Sequence, residues 1–258
     1  MSHSPFLPTD DEIRALGAAA TDWIARHFQS LRELPVVPDT TPEETFRAFD
    51  EPLPARGQQW RALLEKFERE VVPRSFHLPS PRYFGLMNPT PLPIAVFAES
   101  LAAALNQNLG AWHHSPAATA IEAQVIRWLC QLAGLPQGSF GSLTSGGTQA
   151  NTTGLKIALA AKLPQTTRSG LFGLAKRPVM YASAEAHFSI EKTANIIGLG
   201  ARDGLRLVPV DGNSRMDVDA LERMIAADRA AGLEPFAVTG IAGITSNGVI
   251  DPLDRIAD

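Results

Sequence analysis

The sequence predicts an α/β protein on a mostly parallel sheet, preceded by a stretch of helices. Three observations carry this. After residue 140, short apolar runs alternate with amphipathic helical patterns, as in successive βαβ units. The run Phe236 to Ile241 is almost free of charge, which suits a strand covered on both faces. Residues 1 to 80 hold helical periodicity only, interrupted by prolines.

Ile13, Leu16, Ala20, Trp23, Ile24 and Phe28 recur at helical spacing, with Asp10 or Asp11 as the expected cap. Pro35, Pro38 and Pro42 break the pattern, and a short helix follows near Glu43–Phe49. Trp60, Leu63, Leu64, Phe67 and Val71 mark another helix. Residues 79 to 93 read as a Pro-rich loop carrying Tyr83 and Phe84. Helices are expected over Leu92–Leu105 and from Ser115 or Thr119 to Ala133. Ser142–Thr144 looks strand-like, and a helix runs from about Gln149 to Lys162. Strands are expected at Val179–Ala182, Leu205–Val210 and Phe236–Ala242, with helices at Ser189–Ile197 and Asp217–Ala231 between them. Asp251–Pro252 reads as an N-cap followed by Pro in the first turn of a last helix. No Gly or basic turn stops that helix, and a βαβ order calls for another strand, so the domain is expected to continue past Asp258. The expected division is a helical segment, 1–80, and an incomplete large domain, 81–258.

Composition narrows the function classes. A formal net charge of −4 and no basic stripe give no reason to expect nucleic acid or an anionic membrane as partner. The apolar stretch Ile94–Leu105 contains Glu99 and is too short to span a bilayer. Met1–Pro5 shows no signal-peptide pattern, so the expected location is cytoplasmic. The one cysteine, Cys130, excludes an internal disulfide and reads as a small core residue.

The strongest local chemical signal is Thr144–Asn151. Gly146 and Gly147 stand between a strand-like run and a helix, where backbone can approach a ligand closely. The helix start offers unpaired N–H groups and a positive dipole end, and Ser145 and Thr148 add hydroxyls, all suited to a phosphate. The same pattern also fits a tight turn with no ligand. It is neither a Walker loop nor a dinucleotide fingerprint. His187 follows a strand, where residues line the crevice of a parallel sheet. It reads either as a ring that stacks on a cofactor or moves a proton, or as a surface cap of the next helix. Thr245–Gly248 follows the last strand and is open to the same two readings. His113 and His114 are adjacent and point apart in extended chain, so no metal site is expected. No Gly-x-Ser-x-Gly elbow is present.

Taken in order, Tyr83–Gly85, Ala111–Ala117, Ile121–Glu122, Trp128–Leu129, Thr144–Asn151, His187–Lys192, Val210–Gly212 and Gly243–Gly248 resemble the group II pyridoxal-phosphate (PLP) dependent amino-acid decarboxylases. That family includes aromatic-amino-acid, glutamate and histidine decarboxylases. The resemblance implies the fold type I (aspartate-aminotransferase) large domain, here incomplete, with the N-terminal helical segment wrapping onto the partner of a homodimer. It assigns Ser145, Gly146, Gly147 and Thr148 to the cofactor phosphate. His187 would stack on the pyridine ring as the catalytic residue, Thr245 would lie near the ring, and Tyr83, Phe84 and Trp112 would border an amino-acid pocket. It also implies an Asp on a further strand and a cofactor-holding lysine beyond it. None of Lys66, Lys156, Lys162, Lys176 and Lys192 has the context of that lysine. The competing expectations are another lyase of the same fold, such as a sphingosine-phosphate-lyase-like enzyme, or a non-catalytic chain.

Overall fold

The structure is a computed structural model, and residues 8–258 are described. The reading of Met1–Pro5 therefore lies outside the described residues. The chain divides into two units, one ending at Ala104 and one beginning at Leu105.

The first unit is helical. Helix α1 (Asp10–Ser30) starts at a capping box: Glu12 N–H donates to the Thr9 hydroxyl at 3.2 Å, and Thr9 N–H donates to the Glu12 carboxylate at 2.8 Å. Thr9 is thus the cap. Asp10 and Asp11 occupy the first turn, where their charge favours the dipole. Helix α2 (Pro42–Phe49) repeats the device with Thr41 and Glu44. Helix α3 (Trp60–Lys66) runs on through a π turn (Phe67–Val71) and a 3-10 turn (Val72–Arg74), and α4 (Pro93–Leu105) follows. Trp23 stacks on His27 at 4.9 Å and meets the edge of Phe67 at 5.0 Å. His27 in turn lies 5.7 Å from His77, a buried ring whose Nε2 has no hydrogen-bond partner among the described residues. Burial, then the neighbouring His77, holds the His27 imidazole below its ordinary range.

The second unit is built on a parallel sheet. Its elements are α5 (Pro116–Leu132), α6 (Gly147–Lys162), α7 (Thr166–Ser169), β1 (Pro178–Ser183), α8 (Ser189–Ile196), β2 (Leu205–Val208), α9 (Val218–Ala230), β3 (Glu234–Thr239) and α10 (Leu253–Ala257). The strand order is β2-β1-β3, with β1 parallel to both neighbours; Met180 pairs with Leu205 on one side and Ala237 on the other. Alternation along β1 sends Met180 and Ala182 to one face, into a core with Leu159, Ile190, Ala194, Leu199, Leu205 and Phe236. Val179 and Tyr181 go to the opposite face, against Val208, Met216, Ala220 and Leu221. All six residues of β1 are buried, so this strand has no polar face to alternate with.

One polar group enters that second core. The Tyr181 hydroxyl donates to Asp228 at 2.7 Å, and Arg206 Nε reaches the same carboxylate at 3.1 Å. Burial acts to raise Asp228, but Tyr181 and Arg206 outweigh it and hold the carboxyl below the usual range. Burial, followed by the Asp228 contact, pushes the Tyr181 phenol well above its ordinary range, so it stays a donor.

Besides the cap of α1, the structure departs from the sequence reading at five places. Ser142–Thr144 forms no strand and pairs with none among the described residues. Strand β3 begins two residues earlier than expected and is mostly half-buried, because it forms one edge of the sheet. Strand β2 stops at Val208, since Val210 turns back to bridge Met216. Cys130 is only partly buried, because much of the apolar surface of α5, including Ile121, Trp128 and Leu132, is exposed. Asp251 does not cap α10: it is buried, and its carboxylate accepts the N–H groups of Met216 at 2.8 Å and Ile241 at 2.9 Å. It thereby ties the turn after β2 to the end of the β3 segment. Among the described residues, no helix is long and apolar enough to cross a membrane.

Two outcomes follow from these contacts. Asp251→Ala strands two inward backbone donors and should lower unfolding stability by about 3 kcal/mol, read as a shifted urea midpoint at unchanged slope. For His27, the folded-state value lies below the unfolded one. Its contribution is therefore intact above about pH 6.5 and is lost as pH falls through and below that value, since the unfolded chain takes the proton first. Urea unfolding between pH 8 and pH 5 should show this loss, and His27→Gln should flatten it.

Candidate functional site

Parallel pairing makes every strand leave the sheet at the same edge, and ligands of such sheets bind there. The chain leaves β1 into the loop that carries His187, and leaves β3 into the loop that carries Thr245.

The glycine turn lies between the segment Ser142–Thr144 and α6. Leu143 N–H donates to the Glu122 carboxylate at 3.0 Å, and the Thr144 hydroxyl donates to the Gly146 carbonyl at 3.1 Å. These two bonds hold the approach to the turn. Gly146 is extended, with φ 164° and ψ 171°, a conformation any residue adopts. A Cβ built on Gly146 or Gly147 meets nothing within 4 Å. Neither backbone conformation nor packing within the chain therefore asks for glycine at these two positions. Both positions leave open space beside the backbone. Among the described residues no side chain caps α6, so the first N–H groups of this 16-residue helix stay available in an exposed turn, beside Ser145 and Thr148.

His187 is exposed in the loop between β1 and α8. Its Nδ1 accepts the Ser189 N–H at 3.2 Å and lies 2.8 Å from the Ser189 hydroxyl. Ser189, fully buried, also receives the Asn151 amide at 2.8 Å. A second polar rung links the same helices: the Thr152 and Thr193 hydroxyls are 3.0 Å apart, and Thr152 also donates to the Thr148 carbonyl at 2.8 Å. Asn151 sits one turn into α6, and Ser189 is the first residue of α8. The rungs thus bring the glycine turn and His187 to the same end of two packed helices. His187 takes an N–H at the start of α8, and its ring is exposed.

The other sequence-derived residues are less tightly tied. Thr245 is exposed in a turn that needs glycine at positive φ, 108° at Gly243 and 71° at Gly248. No hydrogen bond joins Thr245 to the His187–Ser189–Asn151 cluster among the described residues. Trp112 lies in an exposed 3-10 turn (Trp112–His114) of the second unit. In the first unit, the Tyr83 hydroxyl donates to Asn88 at 3.3 Å, its ring meets Phe76 at 5.5 Å, and Phe84 is 93% exposed. Lys192 places Nζ 4.4 Å over the Phe188 ring, which packs 4.1 Å from His187. Among the described residues, no group of three or more His, Cys, Asp or Glu could hold a metal ion.

Sequence reasoning gave no role to Asn151, Ser189 and Glu122, which hold the glycine turn and His187, and misread Asp251. Asn151 and Ser189 stood inside quoted motifs, but nothing local says that two helices 38 residues apart in sequence share a bond. For Asp251, the Asp-Pro pair pointed to a cap, and only the tertiary path of two loops turns it inward.

Comparison with known proteins places the chain in a family and a fold. Residues 42–258 match the family described as the pyridoxal-dependent decarboxylase conserved domain. The chain is 38% identical over 209 residues to an L-2,4-diaminobutyrate decarboxylase of Rhizobium meliloti, covering 81% of this chain and 40% of that protein. It is 30% identical to an aromatic-L-amino-acid decarboxylase of Bacillus atrophaeus, over 96% of this chain and 50% of that one. Among solved structures, the Oryza sativa TDC with PLP and tryptamine superposes with a TM-score of 0.89 at 26% identity, covering all of this chain and 54% of that one. The glutamate decarboxylase domain of a Vibrio parahaemolyticus diaminobutyrate protein gives 0.84 at 30% identity, covering 99% and 56%. The chain spans about half the length of the curated relatives it matches.

Open space at the turn has a measurable consequence. Gly147→Ala should leave unfolding stability unchanged or raise it by up to about 1 kcal/mol, because Ala costs the unfolded chain more freedom and meets no atom in the fold. Thermal unfolding of the two proteins checks this.

Proposed function

The chain belongs to the pyridoxal-dependent decarboxylase family, and on that footing we propose that it supplies the cofactor-holding part of a carboxy-lyase acting on an L-amino acid. The observation that carries the reading is the uncapped start of α6 at two glycines that nothing in the chain requires, bonded through Asn151 and Ser189 to His187. When bound, PLP supplies an electron sink for the charge left as carbon dioxide departs. The N–H groups of Gly147 and Thr148 and the hydroxyls of Ser145 and Thr148 would take the phosphate, with Gly146 leaving room for it. His187 would lay a flat imidazole against the pyridine ring and hold a proton there, and Thr245 would approach from the next loop at the same edge. Trp112 would border the amino acid.

The same reading covers the helical segment 1–80 and the domain from residue 81. Helices α1 to α4 bury none of their described residues, and Ile13, Leu16 and Phe46 stand out among their exposed apolar groups. Such surfaces need cover, and a partner subunit in a homodimer provides it. A cytoplasmic location completes the reading, consistent with a lone unpaired cysteine.

The test is a panel of L-amino acids, 2,4-diaminobutyrate and the aromatic ones first, given with PLP to the full-length protein and to the 258-residue chain. Carbon dioxide release from one of them is expected for the full-length protein only. The chain should bind PLP weakly, seen by absorbance, and turn nothing over. Gly147→Ala should weaken that binding about tenfold although the fold is intact. Turnover by the chain itself, or PLP affinity untouched by Gly147→Ala, contradicts the reading.

A further inference from the structure

We infer that Asn151 and Ser189 are positioning residues that lock the His187 ring in one neutral tautomer, with the proton on Nε2. The use of that proton rests on the proposed function; the lock itself does not. A backbone N–H can only donate, so the Ser189 N–H at 3.2 Å requires Nδ1 to be the acceptor nitrogen. In a neutral imidazole the other nitrogen then carries the hydrogen. With Nδ1 an acceptor, the Ser189 hydroxyl, 2.8 Å from it, turns its hydrogen toward the ring while its oxygen accepts the Asn151 amide at 2.8 Å. The bonds run in one direction, from Asn151 Nδ2–H to Ser189 Oγ–H to His187 Nδ1.

Each link is held by packing. Ser189 is fully buried, so its hydroxyl has no water to turn toward. Asn151 is half-buried on α6, and the Thr152–Thr193 rung fixes the register of α6 against α8. Rotating the ring by half a turn would bring a carbon against both Ser189 donors and leave them unpaired. Phe188 closes one side of the ring at 4.1 Å, and Lys192 lies over Phe188. His187 therefore presents a fixed N–H donor at the sheet edge, set by a residue only one turn from the glycine turn.

The test is nitrogen NMR of the chain labelled with ¹⁵N-histidine, without PLP and at neutral pH. Its six histidines are few enough to assign, with His187→Gln identifying the signal. The expected spectrum has His187 in one form, Nδ1 bare and Nε2 protonated. Asn151→Asp keeps the shape of the side chain but reverses the link: the carboxylate takes the Ser189 hydroxyl proton, and Oγ turns a lone pair toward Nδ1. The share of the Nδ1–H form should then rise from near zero to a substantial fraction. Ser189→Ala, which removes Oγ but keeps the backbone N–H on Nδ1, should raise it by less. A merely structural role would shift the melting temperature of these variants and leave the tautomer alone. A parent chain with Nδ1–H as the main form, or an unchanged distribution in both variants, overturns the inference. Absence of PLP binding to the parent, read separately by absorbance, would sink the proposed function and leave the tautomer result standing.

Discussion

The structure of the second unit depends on one constraint, the complete burial of β1 between two parallel neighbours. A strand with no exposed face must be covered twice, and α6 and α8 on one side and α9 on the other provide that cover. Parallel pairing cannot be closed by hairpins, so each strand is followed by a crossover through a helix. The strands then all exit at one edge, and the loops bearing His187 and Thr245 are delivered there by topology. The location of the site is thus a consequence of the core, and its chemistry is added by short loops.

Much of this was legible in the sequence where a local rule and the tertiary fold agree. Val179–Ala182 reads as a buried strand because it is one, and the α9 pattern of Val218 and Leu221 reads inward because those residues meet the sheet. Legibility failed where a tertiary partner decides. Ser142–Thr144 has strand-like residues and no strand beside it. Phe236 to Ile241 has the composition of a central strand but lies at an edge, where only Phe236 of the strand is buried. Asp251 carries the local signature of a cap, yet the paths of two loops turn its carboxylate onto two backbone donors that nothing near it in sequence announces.

The candidate site divides along the same line. The glycine turn and His187 could be picked out because Gly-Gly before a helix and His after a strand are local patterns. What joins them, the Asn151–Ser189 bond and the Thr152–Thr193 rung, depends on two helices coming side by side. The structure also sharpened the meaning of the glycines. Sequence alone leaves them open between a tight turn and a ligand site. The structure adds open space around both Cβ positions and an ordinary φ at Gly146.

The most direct test of the account is a crystal structure of the chain or the full-length protein grown with PLP. The account places the phosphate on the N–H groups at the start of α6, within hydrogen-bond reach of Ser145 and Thr148, with the pyridine ring against His187. Phosphate bound elsewhere, or a ring that leaves His187 free, would contradict it.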